Sequence, residues 1–124
     1  TQAALRSGTF VDQLRRAEDA IQRVASDSAL KPYFRPSGGG YNADVVAAAA
    51  AEGYRTILWS VDPWDWKWPL AAERVVPQTS AGSIVLNHFT TSTAANIGAV
   101  ITQLREQKGI RFVTLTELFR SQSS

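Results

Sequence analysis

The sequence predicts an α/β protein in which parallel strands alternate with helices. Helical patterns, β-branched strand patterns and turn residues follow one another repeatedly along the chain, and this alternation is typical of parallel sheets with right-handed crossovers. The 124 residues are 44% hydrophobic and 19% charged, enough to bury one domain-sized core. The absence of cysteine excludes disulfides, thiol nucleophiles and zinc fingers.

The charge balance argues against a nucleic-acid partner. Thirteen Lys and Arg residues oppose eleven Asp and Glu residues, so the pI of 9.3 reflects a net charge of only +2, whereas nucleic-acid binders cluster their basic residues. The longest apolar run, 45–51, is far shorter than the roughly 20 residues that span a bilayer. We expect no nucleic-acid partner and no membrane span. Because the chain starts at Thr1, we expect that upstream sequence has been removed.

The first half of the chain predicts two helices. Apolar side chains spaced by four and three predict an amphipathic helix that begins after Thr9, with Thr9 and Asp12 as its capping box, and that Lys31-Pro32 breaks. The expected inner face of this helix comprises Phe10, Leu14, Ala17, Ile21 and Val24. Asn42 predicts the N-cap of a second helix over 43–51.

Four strands are predicted between and after these helices. Residues 33–35 form a short β-type segment, and residues 111–115 form another near the C-terminus. Segments 56–61 and 83–89 contain few polar residues, which is typical of strands buried on both faces.

Two further helices complete the predicted order, and a third begins near the C-terminus. Residues 70–76 predict a short helix that Pro77 stops. Thr93 predicts the cap of a helix over 94–107, and a capping box at 114–117 begins the last helix. The expected inner face of the longer helix comprises Ile97, Val100, Ile101 and Leu104.

The most unusual polar residues follow three of the predicted strands. Arg35 ends the first, Asp65 lies in the loop after the second, and the single histidine, His88, ends the third. Sites in parallel α/β proteins form at the carboxyl ends of strands, so we expect these three side chains to converge.

Each of these residues also has a purely structural interpretation. A single histidine is often structural, Asp62 and Asp65 are suited to capping a turn, and an exposed Arg35 pairs with surface carboxylates. Glycines 38–40 are compatible with a phosphate-binding loop, but the P-loop lysine and hydroxyl pattern is absent.

All four tryptophans fall within ten positions. Trp59 lies on a predicted strand and fits a core position, whereas Trp64, Trp66 and Trp68 lie in the loop 62–69. Large apolar rings in a loop either pack together or bind a ligand, and indoles suit the apolar faces of sugar rings. The loop therefore predicts either a small aromatic cluster or a glycan contact.

Three segments together resemble a known family. FRPSGG (34–39), WSVDPWDW (59–66) and IVLNH (84–88) are similar to the third, fourth and fifth motifs of the polysaccharide deacetylases, carbohydrate esterase family 4 or the NodB-homology domain. The resemblance covers nearly the whole chain but only the C-terminal part of that domain. It implies that residues 1–124 belong to a distorted (β/α) barrel whose N-terminal portion is absent.

The resemblance implies a role for each matching residue. Arg35 matches the arginine that orients the catalytic base, and the backbone N–H at Gly38 matches an oxyanion donor. Asp65 matches the aspartate that holds the catalytic histidine, and His88 matches the general acid that protonates the departing amine. A carboxylate beside a histidine stabilises the protonated ring, which is the form that a general acid needs.

The substrate groove is implied in the same way. Trp66 matches a tryptophan that walls the groove, and Leu86 matches a leucine that contacts the acetyl methyl; Trp64 and Trp68 are added as candidate sugar contacts. The family usually has proline and an aromatic residue where this chain has Ser37 and Gly38, which is expected to loosen that loop.

The family's metal motifs, T-F-D-D and H-[ST]-x-x-H, do not occur in this chain. The resemblance implies Zn²⁺ or another divalent metal in the complete domain, and we expect this chain alone to bind none in the family manner. A carboxylate-rich site formed by Asp62, Asp65 and His88 is conceivable, but the family uses these residues otherwise.

The resemblance implies a metal-dependent hydrolase that removes N-acetyl groups from a chitin-like polymer or peptidoglycan, outside the cell or in its envelope. The fragment is expected to be inactive alone and to associate with the missing N-terminal half or with a copy of itself, because an incomplete barrel exposes strand edges. Two alternatives are a degenerate deacetylase or carbohydrate-binding fragment without chemistry, and a sugar-phosphate or nucleotide enzyme that uses the glycine cluster.

Overall fold

The computed structural model describes residues 1–26 and 31–122. The chain divides into two compact units, Thr1–Leu58 and Trp59–Ser124, and each is described separately.

The first unit begins with helices α1 (Gln2–Arg6) and α2 (Phe10–Val24). The sequence pattern predicted α2, which ends at Val24, ahead of the predicted break at Lys31-Pro32, but it did not predict α1. The predicted capping box is wrong, because Thr9 occupies the N-cap position without a side-chain cap hydrogen bond.

The predicted inner face of α2 is only partly correct. Phe10 is buried, whereas Ala17 is exposed and Val24 is 82% exposed. The apolar core of this unit contacts α2 through Phe10, Val11 and Leu14, which lie in its N-terminal half. The C-terminal half therefore retains the apolar spacing without burying all of its residues.

A small parallel sheet follows these helices. Strands β1 (Tyr33–Phe34) and β2 (Arg55–Thr56) pair in parallel, with Tyr33 opposite Arg55. Helix α3 (Ala43–Ala51) connects them, and the Asn42 side chain accepts a hydrogen bond from the Val45 N–H at 2.9 Å, which confirms the predicted cap.

The core of the second unit is formed by three helical segments. Helix α4 (Ala72–Val75) continues into a 3₁₀ turn (Val76–Gln78), and α5 (Thr91–Lys108) packs against them. Helix α4 ends at Val75, ahead of Pro77 as predicted, and Pro77 itself lies within the 3₁₀ turn, where its fixed φ fits the first turn. The buried apolar residues are Leu70, Ala72, Val75, Val76, Val100 and Leu104.

The cap of α5 differs from the prediction. Thr90, not Thr93, is the N-cap, and its side-chain oxygen accepts a hydrogen bond from the Thr93 N–H at 3.0 Å. Both residues are threonines three positions apart, so composition alone did not distinguish the cap from the residue it caps. At the other end of the unit, α6 (Leu115–Gln122) begins with the predicted box, in which Thr114 Oγ1 accepts from the Glu117 N–H at 3.2 Å.

The predicted strands of the second unit are largely absent from its described residues. The segments 56–61 and 83–89 meet in one parallel bridge between Val61 and Val85, and residues 111–114 form no strand. The β-branched composition predicted extended backbone, but long ladders also need neighbouring strands. Parallel pairing and α/β alternation are present, whereas the distorted barrel stays a prediction.

Across residues 1–26 and 31–122, no helix combines the length and the apolar character that crossing a membrane requires.

Candidate functional site

Hydrogen bonds within the loop after Val61 fix its conformation. Asp62 Oδ1 accepts a hydrogen bond from the Trp64 N–H at 2.9 Å, and the Trp64 carbonyl accepts from the N–H groups of Lys67 and Trp68 at 3.0 and 2.9 Å. Trp64 adopts a left-handed φ of 56°, which is uncommon for a non-glycine residue. Asp62 therefore has the structural role of fixing a turn, which was one of the two interpretations of its sequence.

Asp65 has a different environment from Asp62. Its side chain is fully buried, and the carboxylate accepts three hydrogen bonds. Oδ1 faces His88 Nδ1 at 2.7 Å, while Oδ2 accepts from the His88 backbone N–H and from Thr93 Oγ1, both at 2.7 Å. A buried carboxylate needs such partners, because an unpaired buried charge is strongly unfavourable.

The hydrogen bonds control the charge of Asp65. Burial raises the pKa of this carboxyl, but the side-chain and backbone hydrogen bonds from His88, together with that from Thr93, outweigh burial and lower the pKa below its usual 3.8. Asp65 is therefore an anion at neutral pH, and an anionic carboxylate can only accept hydrogen bonds.

This arrangement determines which nitrogen of His88 is available for chemistry. Because Asp65 is an acceptor, His88 Nδ1 carries the proton between them. The ring is 31% exposed, so its other nitrogen, Nε2, is the atom available to exchange a proton with a bound molecule. The pair of Asp65 and His88 can thus serve as an oriented acid or base.

The three loop tryptophans stand beside this pair in the sequence and are half exposed. Trp64, Trp66 and Trp68 are 49%, 56% and 53% exposed. The rings of Trp64 and Trp66 lie 5.7 Å apart with an interplanar angle of 30°, and Lys67 Nζ lies 5.3 Å from the Trp68 ring centre. The rings of Trp64 and Trp66 contact each other, and all three side chains leave about half of their surface in solvent. Trp59 is only half-buried and lies outside β2, so its predicted core position on a strand is wrong.

Leu86 is the buried neighbour of the histidine. It is 8% exposed, and its N–H donates to the Val61 carbonyl at 3.0 Å. This bond ties the chain segment that carries His88 to the segment that leads into the Asp65 loop.

Arg35 and Gly38 lie in the first unit. Arg35 is exposed directly after β1, in the wall of a cavity of about 340 Å³ that Phe10, Tyr33 and Tyr54 also line. Gly38 has a left-handed φ of 65° within a 3₁₀ turn (Ser37–Gly39), a conformation that glycine adopts without strain. The structure brings Asp65 and His88 together within the second unit, while the predicted convergence of Arg35 with them stays a prediction.

The described residues do not fit a metal centre. Residues 1–26 and 31–122 contain no group of three or more His, Cys, Asp or Glu side chains able to hold an ion. Asp65 and His88 already use the atoms that face each other, so they do not form an open ligand set with Asp62.

One residue of the site did not emerge as a candidate from the sequence. Thr93 was interpreted as a helix cap, although it donates to the buried carboxylate. Phe89, which was predicted within a buried strand, is fully exposed. For Thr93, the available signal was the pair of threonines at 90 and 93 ahead of an apolar helix, which permits two different capping registers.

No family model matches the chain. Among curated proteins, it is 32% identical to YlxY of Bacillus subtilis over 118 residues, which is 92% of this chain and 36% of that protein. It is 37% identical over 90 residues to the peptidoglycan-N-acetylglucosamine deacetylase PgdA of Listeria monocytogenes, covering 69% of this chain and 18% of that protein. It is also 38% identical over 81 residues to a chitooligosaccharide deacetylase of Bradyrhizobium, covering 62% and 36%. The chain thus spans about a third or less of these relatives.

Solved structures that are similar to the chain include members of carbohydrate esterase family 4 and a peptidoglycan deacetylase. The chain is 34% identical, with a TM-score of 0.76, to BA3943 of Bacillus anthracis, a CE4 family pseudoenzyme; the match covers 86% of this chain and 38% of that one. A BA3943 mutant with restored enzymatic activity has the same TM-score. The peptidoglycan N-acetylglucosamine deacetylase Bc1960 matches with 28% identity and a TM-score of 0.77, over 91% of this chain and 55% of that one.

Proposed function

We propose that this chain, which is homologous to the C-terminal part of the polysaccharide deacetylases of carbohydrate esterase family 4, supplies the general acid of a glycan deacetylase site. The longer protein to which the chain corresponds would hydrolyse N-acetyl groups of an amino-sugar glycan, such as peptidoglycan or a chitin-like polymer. Two homologues are named as a peptidoglycan-N-acetylglucosamine deacetylase and a chitooligosaccharide deacetylase, which supports this substrate class.

The observation that carries the proposal is the hydrogen-bonded pair of Asp65 and His88. With Nδ1 held by the carboxylate, a protonated His88 presents its Nε2–H outward. As water adds to the acetamide carbonyl and the C–N bond breaks, Nε2 gives its proton to the departing nitrogen, so that the products are acetate and a free amine. Asp65 contributes by holding the ring and stabilising its positive charge.

The exposed tryptophans support glycan as the ligand. Sugar rings present flat C–H faces, and indole faces that remain half exposed are suited to stack against them. We assign Trp66 to the wall of the groove and Leu86 to the contact with the acetyl methyl, with Trp64 and Trp68 as further sugar contacts. Arg35 and the backbone N–H at Gly38 would contribute base orientation and oxyanion binding in the longer protein.

A divalent metal, Zn²⁺ or another, is proposed for the longer protein only, because the described residues of this chain hold no suitable ligand group. In that protein we expect the N-terminal portion of the domain, or a second copy of the chain, as a partner. Because glycans of this kind occur outside the cell or in its envelope, we propose that location for the protein.

One observation favours a second function. BA3943 is a pseudoenzyme. The second proposal is therefore that this chain belongs to a protein that binds glycan through its tryptophans without hydrolysing it. The two proposals differ in whether acetate is released, while both require glycan binding.

The test compares the 124-residue chain with the longer encoded protein. Each is incubated with chitooligosaccharides and with N-acetylated peptidoglycan in added Zn²⁺, and acetate is measured. We expect none from the chain alone and release from the longer protein that His88→Gln abolishes and the exposed-site control Thr102→Val does not. Glycan binding followed by tryptophan fluorescence, without acetate from the longer protein, would instead establish the pseudoenzyme.

A further inference from the structure

The first turn of α5 lies against the acid pair. Thr93 is 7% exposed, and its hydroxyl lies 2.7 Å from Asp65 Oδ2. Asp65 Oδ2 receives a second donor, the His88 backbone N–H, while Oδ1 receives only the His88 ring. Thr93 therefore donates its hydrogen bond to the carboxylate that holds the histidine.

The protons in this cluster have one consistent arrangement. The Thr90 hydroxyl oxygen accepts from the Thr93 N–H at 3.0 Å and donates its own proton to Thr93 Oγ1 at 2.9 Å. Thr93 Oγ1 then donates to Asp65, which as an anion has no proton to return. Donation therefore converges on Asp65, from Thr90 through Thr93 to Oδ2 and from the His88 ring to Oδ1.

The position of Thr93 makes this donor rigid. A β-branched side chain on a helix has few χ1 rotamers, and α5 is an 18-residue helix that packs on the core through Val100 and Leu104. A donor fixed in this way prevents the Asp65 carboxylate from rotating, and the rotation would move Oδ1 away from Nδ1. The helix N-terminus adds a favourable field for the carboxylate.

We propose that Thr93 is a positioning residue, which orients the Asp65 carboxylate so that His88 keeps its proton on Nδ1 and presents Nε2 to the substrate. The consequence for the proposed deacetylation rests on that function, but the consequence for the histidine tautomer does not.

The tautomer is measurable directly, because His88 is the single histidine of the chain. In the unmodified 124-residue chain, long-range ¹H–¹⁵N spectra of the neutral ring should show the Nδ1–H tautomer alone. Thr93→Val removes the hydroxyl at nearly constant shape and should give a mixture of tautomers, whereas Thr93→Ser should restore the wild-type spectrum. Thr102→Val, the same change at an exposed position of α5, is the control.

Kinetics provide the second measurement. In the longer protein, Thr93→Val should lower kcat about tenfold with KM unchanged, and Thr93→Ser should recover most of the rate, since a hydrogen bond to a charged group has about that effect. If Thr93→Val does not fold, Thr90→Val, which keeps the Thr93 hydroxyl but removes its orienting donor, should show the same tautomer mixing.

The outcomes separate the two proposals. An Nε2–H tautomer in the unmodified chain, or wild-type spectra in both Thr93→Val and Thr90→Val, would overturn the positioning role. A disturbed tautomer in a longer protein that releases no acetate would leave positioning intact and refute deacetylation. Acetate release insensitive to Thr93→Val would refute positioning alone.

Discussion

The loop at 62–68 and the core around α4 and α5 bury opposite kinds of side chain. In the core, Leu104 and Val75 are each 1% exposed, as expected for apolar residues. In the loop, Asp65 is 4% exposed while the tryptophans on either side of it are about half exposed. Burying a carboxylate and exposing indoles are both unfavourable for folding. Hydrophobic burial therefore explains the core but not the arrangement of side chains in the loop.

The largest effect is expected in the core. Leu104→Ala removes a fully buried side chain from the cluster that includes Val75 and Val100, and should lower the free energy of unfolding by about 3 kcal/mol. Urea denaturation measures this loss, and a change below about 1 kcal/mol would show that α5 is not packed as described.

The second effect concerns the buried carboxylate. Asp65→Asn keeps the shape but places an amide where three donors converge, and should lower the free energy of unfolding by about 2 kcal/mol at neutral pH. The reference variant is Asp62→Asn, which alters only a turn and should change stability by about 0.5 kcal/mol.

The same variant has a defined pH dependence. The pKa of Asp65 is lowered in the folded state, so its contribution to stability is complete above the unfolded pKa of about 4 and is lost as the pH falls through the lower folded value. The stability difference between the wild type and Asp65→Asn should therefore shrink below about pH 4. A difference that grew on acidification would contradict the assignment of Asp65 as a hydrogen-bonded anion.

A third, smaller effect separates two glycines of α5. Gly109 ends the helix with a left-handed φ of 62°, whereas Gly98 lies inside it, and neither has an atom near its missing Cβ. Gly109→Ala should destabilise by about 1 kcal/mol, and Gly98→Ala should stabilise by about 0.5 to 1 kcal/mol. Thermal denaturation with equal signs for the two substitutions would show that the helix does not end at Gly109.

The smallest effect on stability is expected in the loop itself. Trp66→Ala removes a ring that is 56% exposed and should change the free energy of unfolding by about 0.5 kcal/mol or less. It should nevertheless weaken binding of chitooligosaccharides several-fold in a fluorescence titration. Trp59→Phe, a change at a half-buried position, serves as the matched comparison, and equal glycan affinity in both variants would remove Trp66 from the groove.

Local patterns predicted the helices better than the strands. The start of α2 and both bounds of α3 matched, because periodicity and the Asn42 cap depend on neighbouring residues. The segments 56–61 and 83–89 depend on partners distant in the sequence. Among the described residues they form one bridge with each other, at Val61 and Val85, and Thr56 pairs with β1.

The sequence predicted one part of the site and missed another. The pairing of Asp65 with His88 followed from the rule that strand ends share an edge, although the strands themselves are short. The role of Thr93 did not follow, because a threonine in a helix start caps backbone in most sequences, and only the fold shows that its hydroxyl reaches a carboxylate 28 positions away.

The central claim is the proposal that His88, held by Asp65, transfers a proton and itself contributes little to stability. Acetate release by the longer protein with His88→Gln tests it most directly, together with urea denaturation of the same variant. We predict a loss of at least about a hundredfold in rate with a change of no more than about 1 kcal/mol in the free energy of unfolding. Unchanged acetate release in a folded His88→Gln protein would contradict the account.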